Sequence, residues 1–346
     1  MLACEANEFF KFAPCGATAT MIKKHLGFAG VIAGCLAALV VAAQDYPLRS
    51  IRYIVPQAPG GSSDTLARVI APRLSDALGQ TVVIDNRPGA TGIIGSDLAA
   101  KASPDGYMLL QVATSHATNP AMGVKLPYDT LRDFAPITLL SQQPNLWIVH
   151  PSLPVSDIKG LVALAKLRPR QVDFASSGTG GSQHLAGELL NVMAGITLVH
   201  IPYKGSPPAL IDVLGGRVAV MVSTLAPAMP QVNARRLRAL AITSTERSKA
   251  ASQIPTVAES GISGYEAISW QGVLAPAGIA RGIVQRLNAE IRKVLAQSEP
   301  RRLLTEQGYE PLSGTAESFD AYIRSEIEKW ARVVNAAGLR TVQDKK

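Results

Sequence analysis

The sequence predicts an α/β fold of two lobes joined by a pair of crossover strands, with a cleft between them. Three observations carry that expectation. Strand-like and helix-like segments alternate along almost the whole chain. Two extended apolar stretches, "FAPITLLSQQPNLWIVHP" and "YEAISWQGVLAPAG", are long enough to leave one block and enter another. The chain has 346 residues, 47% hydrophobic and 17% charged, which allows two cores and excludes a disordered chain.

The elements follow in order. The N-terminus reads as an export signal: Lys23 and Lys24 precede an apolar run ending in Val41-Ala42-Ala43, which suits signal-peptidase cleavage before Gln44. Residues 21–43 are therefore read as a signal peptide. Residues 1–20 are read as an extension from a misassigned start, because Glu5 and Glu8 stand where a leader carries positive charge. Ile32-Ala33-Gly34-Cys35 resembles a lipobox. Lipidation of Cys35 would leave the apolar Leu36 to Ala43 directly behind the lipid, where a polar spacer is usual, so soluble export to the periplasm is preferred and a lipoprotein stays open. The three cysteines, Cys4, Cys15 and Cys35, all precede the expected cut, which denies the mature chain disulfides and thiolate chemistry.

After the leader, "SIRYIVPQ" reads as a buried strand and a helix is expected from about Asp64 to Leu78. "TVVIDNRP" is the next strand, "GATGIIGSDLAAKAS" a loop and helix, and "GYMLLQVAT" a third strand. "SHATNPAMGVKLPYDTLRDF" is a loop longer than a turn requires. Beyond the first crossover strand come the helix "DIKGLVALAKLRP", the strand "QVDFASSG", the helix "SQHLAGELLNVMAG" and the strand "LVHIPYKG". "PPALIDVLGGR", "VAVMVSTLAP" and "LRALAIT" continue the alternation. The C-terminus is helical, with Ile283, Leu287, Ile291 and Leu295 on one face, then Phe319, Ile323, Ile327, Trp330 and Val334 on another, closed by Gly338. The expected lobes are residues 44–142 with 268–346, and residues 143–267.

Ligands of open α/β sheets sit beyond the carboxyl ends of strands. Four loops there are rich in Gly, Ser and Thr: Ala58 to Asp64, Ser176 to His184, Pro202 to Ser206 and Ser223 to Pro227. Accessible amides, hydroxyls and helix N-termini of this kind hold anions. Lys204 is the clearest charged group reserved for such a cleft. Net charge is +8, but the basic residues come in ones and twos without interleaved aromatics, so no nucleic-acid partner is expected.

Catalytic patterns fail in detail. Gly180-Gly181-Ser182-Gln183-His184 misses the last glycine of a nucleophile elbow, and Gly178-Thr179-Gly180 begins a dinucleotide fingerprint that Gln183 ends. His116, His150, His184 and His200 show no metal-ligand spacing. His184 is read as a hydrogen-bonded cap residue and Asp64 as a helix N-cap. No cofactor, metal or enzyme activity is expected.

The segments "YPLRSIRYIVPQAPGGSSDTLAR", "VVIDNRPGATGIIGSDLAAKASPDGYMLL", "FASSGTGGSQHLAGELL" and "HIPYKGSPPALIDVLGGRV" closely resemble the Bug family, the extracytoplasmic receptors of tripartite tricarboxylate transporters. The resemblance runs from about Tyr46 to the C-terminal helix. It implies a Venus-flytrap periplasmic-binding-protein fold without catalysis and a small carboxylate or amide-like ligand held partly through water. It also implies the transporter's membrane components as partners. Matching motifs would place Ser62, Ser63, Asp64, Ser177, Thr179, Gly180, Ser182, Tyr203 and Lys204 in the site. Departures occur at Gln57 and at Gln271 after Trp270, where family members usually carry aromatics, and at "APAGIAR". A monomer is expected. A ligand-sensing module for a membrane kinase would share this fold, and an exported hydrolase using Asp64 or His184 is the rival class.

Overall fold

The computed structural model describes residues 46–339; the expected leader, its upstream extension and all three cysteines lie outside the described residues. The first half runs β1 (Ile51–Val55), α1 (Ser62–Leu78), β2 (Val82–Asn86), α2 (Ile93–Ala100), β3 (Met108–Ala113), α3 (Ser115–Ala121) and β4 (Phe134–Val149). The middle runs α4 (Ile158–Leu167), β5 (Asp173–Ser176), α5 (Ser182–Ala194), β6 (Val199–Pro202), α6 (Ser206–Leu214), β7 (Val220–Thr224), α7 (Leu225–Asn233) and β8 (Arg238–Ile242). The chain returns through β9 (Ile268–Pro276), α8 (Arg281–Ala296), α9 (Ser298–Glu306), β10 (Glu310–Pro311) and α10 (Ala316–Ala336). This is the expected mixed α/β architecture.

One sheet path runs β2-β1-β3-β9-β4-β7-β5-β6, with β8 and β10 both on β4. Parallel pairing joins β1 to β2 and β3, and separately joins β5 to β6 and β7. Between these parallel groups β9 and β4 run antiparallel to their neighbours. The expected long strand is real, and its two ends have different partners. Phe134 to Pro144 lies along β9, whereas Asn145 to Val149 lies between β7 and β8. Pro136 borders one of two register shifts between β4 and β9, where a residue without an N–H is tolerated. Because each parallel group shares one strand direction, the loops after β1 to β3 gather at one end, and those after β5 to β7 at another.

Three sequence expectations shift. Helix α1 begins at Ser62, two residues earlier than expected. The long loop after β3 opens with α3, its proline placed at the last turn. The loop expected at Ser223 to Pro227 is a direct junction, β7 ending at Thr224 and α7 starting at Leu225. Helix α9 has too few apolar residues for its period to stand out; only Pro300 and Leu304 are buried in it.

Most of the apolar faces read from the sequence are buried: Leu287, Ile291 and Leu295 in α8, and Phe319, Ile323, Trp330 and Val334 in α10, whereas Ile283 and Ile327, expected on the same faces, are only half-buried. Trp270 belongs to the cluster around Leu110 and Phe319, and Trp330 to the cluster around Trp147 and Phe174. The indole N–H groups of both tryptophans donate to Glu326 Oε2, at 3.0 and 2.9 Å. One buried carboxylate oxygen thus joins two cores, a legitimate use of a buried charge because its donors are fully engaged. Gly272 has no substitute on β9: a Cβ there would lie 2.1 Å from the Phe319 ring.

Candidate functional site

The first corner lies between β1 and α1. Gly60 turns the chain with φ +79°, a conformation glycine adopts without strain. Its N–H donates to Asp64 Oδ2 at 2.9 Å, which also accepts from Arg68 Nε at 2.7 Å. Asn86 Nδ2, at the carboxyl end of β2, donates to Asp64 Oδ1 at 3.0 Å. Burial pushes the Asp64 carboxyl up, but the bonds from Arg68, Gly60 and Asn86 outweigh it and hold the group below its ordinary value. The N-cap reading of Asp64 is therefore corrected. The N-cap is Gly61, and Asp64, in the first turn, reaches back to lock the loop in front of it.

Ser62 is exposed, whereas Ser63 is buried and both of its backbone groups are engaged. The Ser63 N–H donates to Gln57 Oε1 at 3.2 Å, and its C=O accepts from Gln111 Nε2 at 2.9 Å. The Ser62 C=O accepts from the Tyr309 hydroxyl at 2.8 Å. The first turn of α1 is lashed to β3 and to the segment before β10.

The second corner lies between β5 and α5. The Ser177 N–H donates to Gln183 Oε1 at 2.8 Å, and the Gly180 N–H to His184 Nδ1 at 3.1 Å. His184 is hydrogen-bonded as its position suggested, but the cap reading is corrected as for Asp64: the N-cap is Gly181, and His184, in the first turn, reaches back to the loop ahead of it. Its ring stacks on His200 at 3.9 Å, and His200 Nε2 sits 2.6 Å from Ser176 Oγ. Burial, with the neighbouring His184, pulls His200 down to about 3, so it is uncharged near neutrality. The β6 loop is tied on by Tyr203 N–H to Ser176 C=O at 3.1 Å and Gly205 N–H to Ser177 C=O at 3.0 Å. Ser177, Thr179, Gly180, Ser182, Tyr203 and Lys204 therefore form one cluster. Within it Thr179 and Lys204 are exposed and Ser182 is half-buried as the first residue of α5. The Tyr203 hydroxyl is turned to Asp212 Oδ2 at 2.8 Å.

The two corners meet through α3. Thr118 Oγ1 donates to the Gly180 C=O at 2.6 Å, and α3 directly follows the strand whose Gln111 holds Ser63. Beneath lies a polar floor. Ser141 stands opposite Gln271 and Gln143 opposite Ser269, which puts them on one sheet face. Gln111 Oε1, Ser141 Oγ, Gln143 Oε1 and the neighbouring Asn145 Oδ1 are buried with no donor among the described residues. A cavity of about 690 Å³ opens elsewhere, against β1, β2 and β3, and its Arg52 and Arg87 are paired with Asp85.

Sequence reasoning missed Asn86, Gln111, Thr118 and Gln183. For Asn86 a signal existed, since it ends a strand whose loop faces the same way as that of β1. Gln111 shows in sequence only as a polar residue inside an apolar strand, and nothing in the chain around Thr118 marks its reach to Gly180.

Chemically the two corners present exposed hydroxyls and helix N-termini, and an exposed lysine in the second. A family model described as tripartite tricarboxylate transporter family receptor matches residues 66–339. Over 302 residues the chain is 38% identical to Protein BugT of Bordetella pertussis, covering 87% of this chain and 93% of that one. Among solved structures, R. palustris Rpa4515 with adipate is similar at TM-score 0.78 and 38% identity, over 85% of this chain and 99% of that one. MatC from Rhodopseudomonas palustris with bound malate is similar at TM-score 0.75 and 30% identity, over 84% and 100%.

Proposed function

The chain belongs to the tripartite tricarboxylate transporter receptor family, and from that premise we propose that it captures a small organic acid in the periplasm and hands it to the membrane components of such a transporter. The ligand class is a mono- or dicarboxylate or a near relative, in keeping with the adipate and malate on two relatives. One observation carries this reading. The acid in the first corner, Asp64, has both oxygens occupied by Gly60, Arg68 and Asn86, so no bare carboxylate there repels an anion. The same engagement leaves Asp64 poorly placed as a catalytic base, which supports binding without turnover.

The site on this reading comprises Ser62, Ser63, Asp64, Ser177, Thr179, Gly180, Ser182, Tyr203 and Lys204. Ser62, Thr179 and Lys204 make direct contact and the others shape the corners. The lobes are residues 44–142 with 268–346, and 143–267, hinged where β4 changes partners, and the protein works as a monomer. Closure brings the corners together on the ligand. Thermal shift against a panel of organic acids, amino acids, sugars and cations tests the proposal. A ligand at 100 times its Kd adds about 2.7 kcal/mol of stability. A response to neutral sugars or cations alone would sink it, and identical scattering profiles with and without saturating ligand would remove the hinge.

A further inference from the structure

Resting on the carboxylate-receptor reading, we infer that Gln57 determines specificity: its Nε2 donates a hydrogen bond to an acceptor oxygen of the bound acid. Gln57 stands two residues after β1 and is half-buried. Its backbone is fixed, because its C=O accepts from Asn86 Nδ2 at 3.0 Å, and the same Asn86 amide holds Asp64. Its side-chain oxygen accepts from the Ser63 N–H at 3.2 Å. A primary amide has one accepting end and one donating end. Flipping it would set N–H against the Ser63 N–H, donor against donor. The orientation is therefore determined, and Nε2 is the end left over, with no partner among the described residues.

Ser63 cannot turn away to change this. Its C=O is held by Gln111 Nε2, which also donates to Gln271 Oε1 at 2.6 Å. The result is a relay. The Ser63 amide at the start of α1 is not itself offered to a ligand; it polarises the Gln57 amide, which carries the donor outward. Ligands with a carboxylate or carboxamide oxygen at that point are favoured. A carboxylate side chain in place of Gln57 would satisfy Ser63 equally well and oppose the acid.

That contrast supplies the test. Adipate and malate are titrated by calorimetry into the wild type, Gln57→Glu and Gln57→Met at pH 7.5 and pH 5, with melting curves confirming that each variant is folded. Gln57→Glu keeps an acceptor for the Ser63 N–H, so it should fold as the wild type does. It should bind the acids roughly 100-fold more weakly at pH 7.5. Relative to the wild type at each pH, it should recover at pH 5 as the new side chain gains a proton. Gln57→Met should bind about 10-fold more weakly at both pH values. Unchanged affinity in both variants overturns the inference, as does tighter binding by Gln57→Met, which would make Gln57 a plug over Ser63. If the wild type binds no acid in the panel, the receptor reading falls and Gln57's role with it. If the wild type binds and the variants match it, only the role of Gln57 falls.

Discussion

At the first corner Gly60 donates its N–H to an ionised carboxylate, and at the second Gly180 donates to an imidazole nitrogen. Both fix a glycine-bearing turn ahead of a helix. The first is backed by Arg68 and Asn86, the second by the stacked His200, which burial keeps uncharged. Charge holds one corner and desolvated aromatic packing the other. Similar loop sequences, "PGGSSD" and "TGGSQH", therefore need not share an electrostatic support.

Four perturbations should act differently on the two corners or on the fold around them. The largest stability effect is expected outside both corners and serves as the reference. Glu326→Leu leaves the Trp270 and Trp330 N–H groups buried and unpaired, costing about 2–5 kcal/mol by chemical denaturation while Kd for adipate or malate holds. Loss of affinity in the folded variant would mean that the corners respond to any global weakening. Asp64→Ala should cost about 2–3 kcal/mol and also weaken binding, because Gly60 and Asn86 lose their acceptor. A cost under about 0.5 kcal/mol would deny the carboxylate its role.

Acidification should separate the corners. A histidine whose folded pKa lies below its unfolded value takes up its proton first in the unfolded chain. His200 contributes fully above about pH 6.5, and its contribution is lost as pH falls toward about 3. The loss is at most about 1.4 kcal/mol per pH unit, less because the ring is only half-buried. Asp64 is depressed in the other class of group: its contribution is present above the unfolded carboxylate value and is lost only below about pH 4. His116, buried against Phe134 and lowered to about 4, adds a global loss in the same direction as His200. Hydrogen exchange therefore has to be read residue by residue. From pH 7 to pH 5, protection of the Gly180 amide, corrected for intrinsic exchange and scaled to global stability, should fall more than that of Gly60. Equal losses would erase the distinction. The smallest effect is at Ser62, the exposed serine of its corner. Ser62→Ala should raise Kd by about 3- to 10-fold without moving the melting temperature. An unaltered Kd would leave the first corner without a direct hydroxyl contact.

Much of the fold was legible because period and topology act locally. The alternation of strands and helices, the 16-residue β4 and the buried face of α10 all follow from residue type and spacing. The glycine-rich corners were legible for the same reason. Their supports were not. Asp64 was placed as a cap, but its partner Asn86 is 22 positions away, and Ser63 and Gln111 are 48 apart. Thr118 reaches Gly180 across 62 positions, and nothing in the seven-residue α3 announces that contact. Burial of Ser63 likewise depends on which neighbours cover it, which no local pattern encodes.

The placement of β9 bears on how quickly the chain acquires its structure. Strand β3 has β9 as a neighbour, and Gln111 and Gln271, which bond across them, are 160 residues apart. The sheet of the first block cannot be completed until the chain beyond residue 268 has been made and has come back. Pairings of such long range fold slowly, because loop-closure entropy is lost before the contacts reward it. The polypeptide emerges from the ribosome with a sheet it cannot yet close, and the edge of β3 stays open until the returning β9 reaches it.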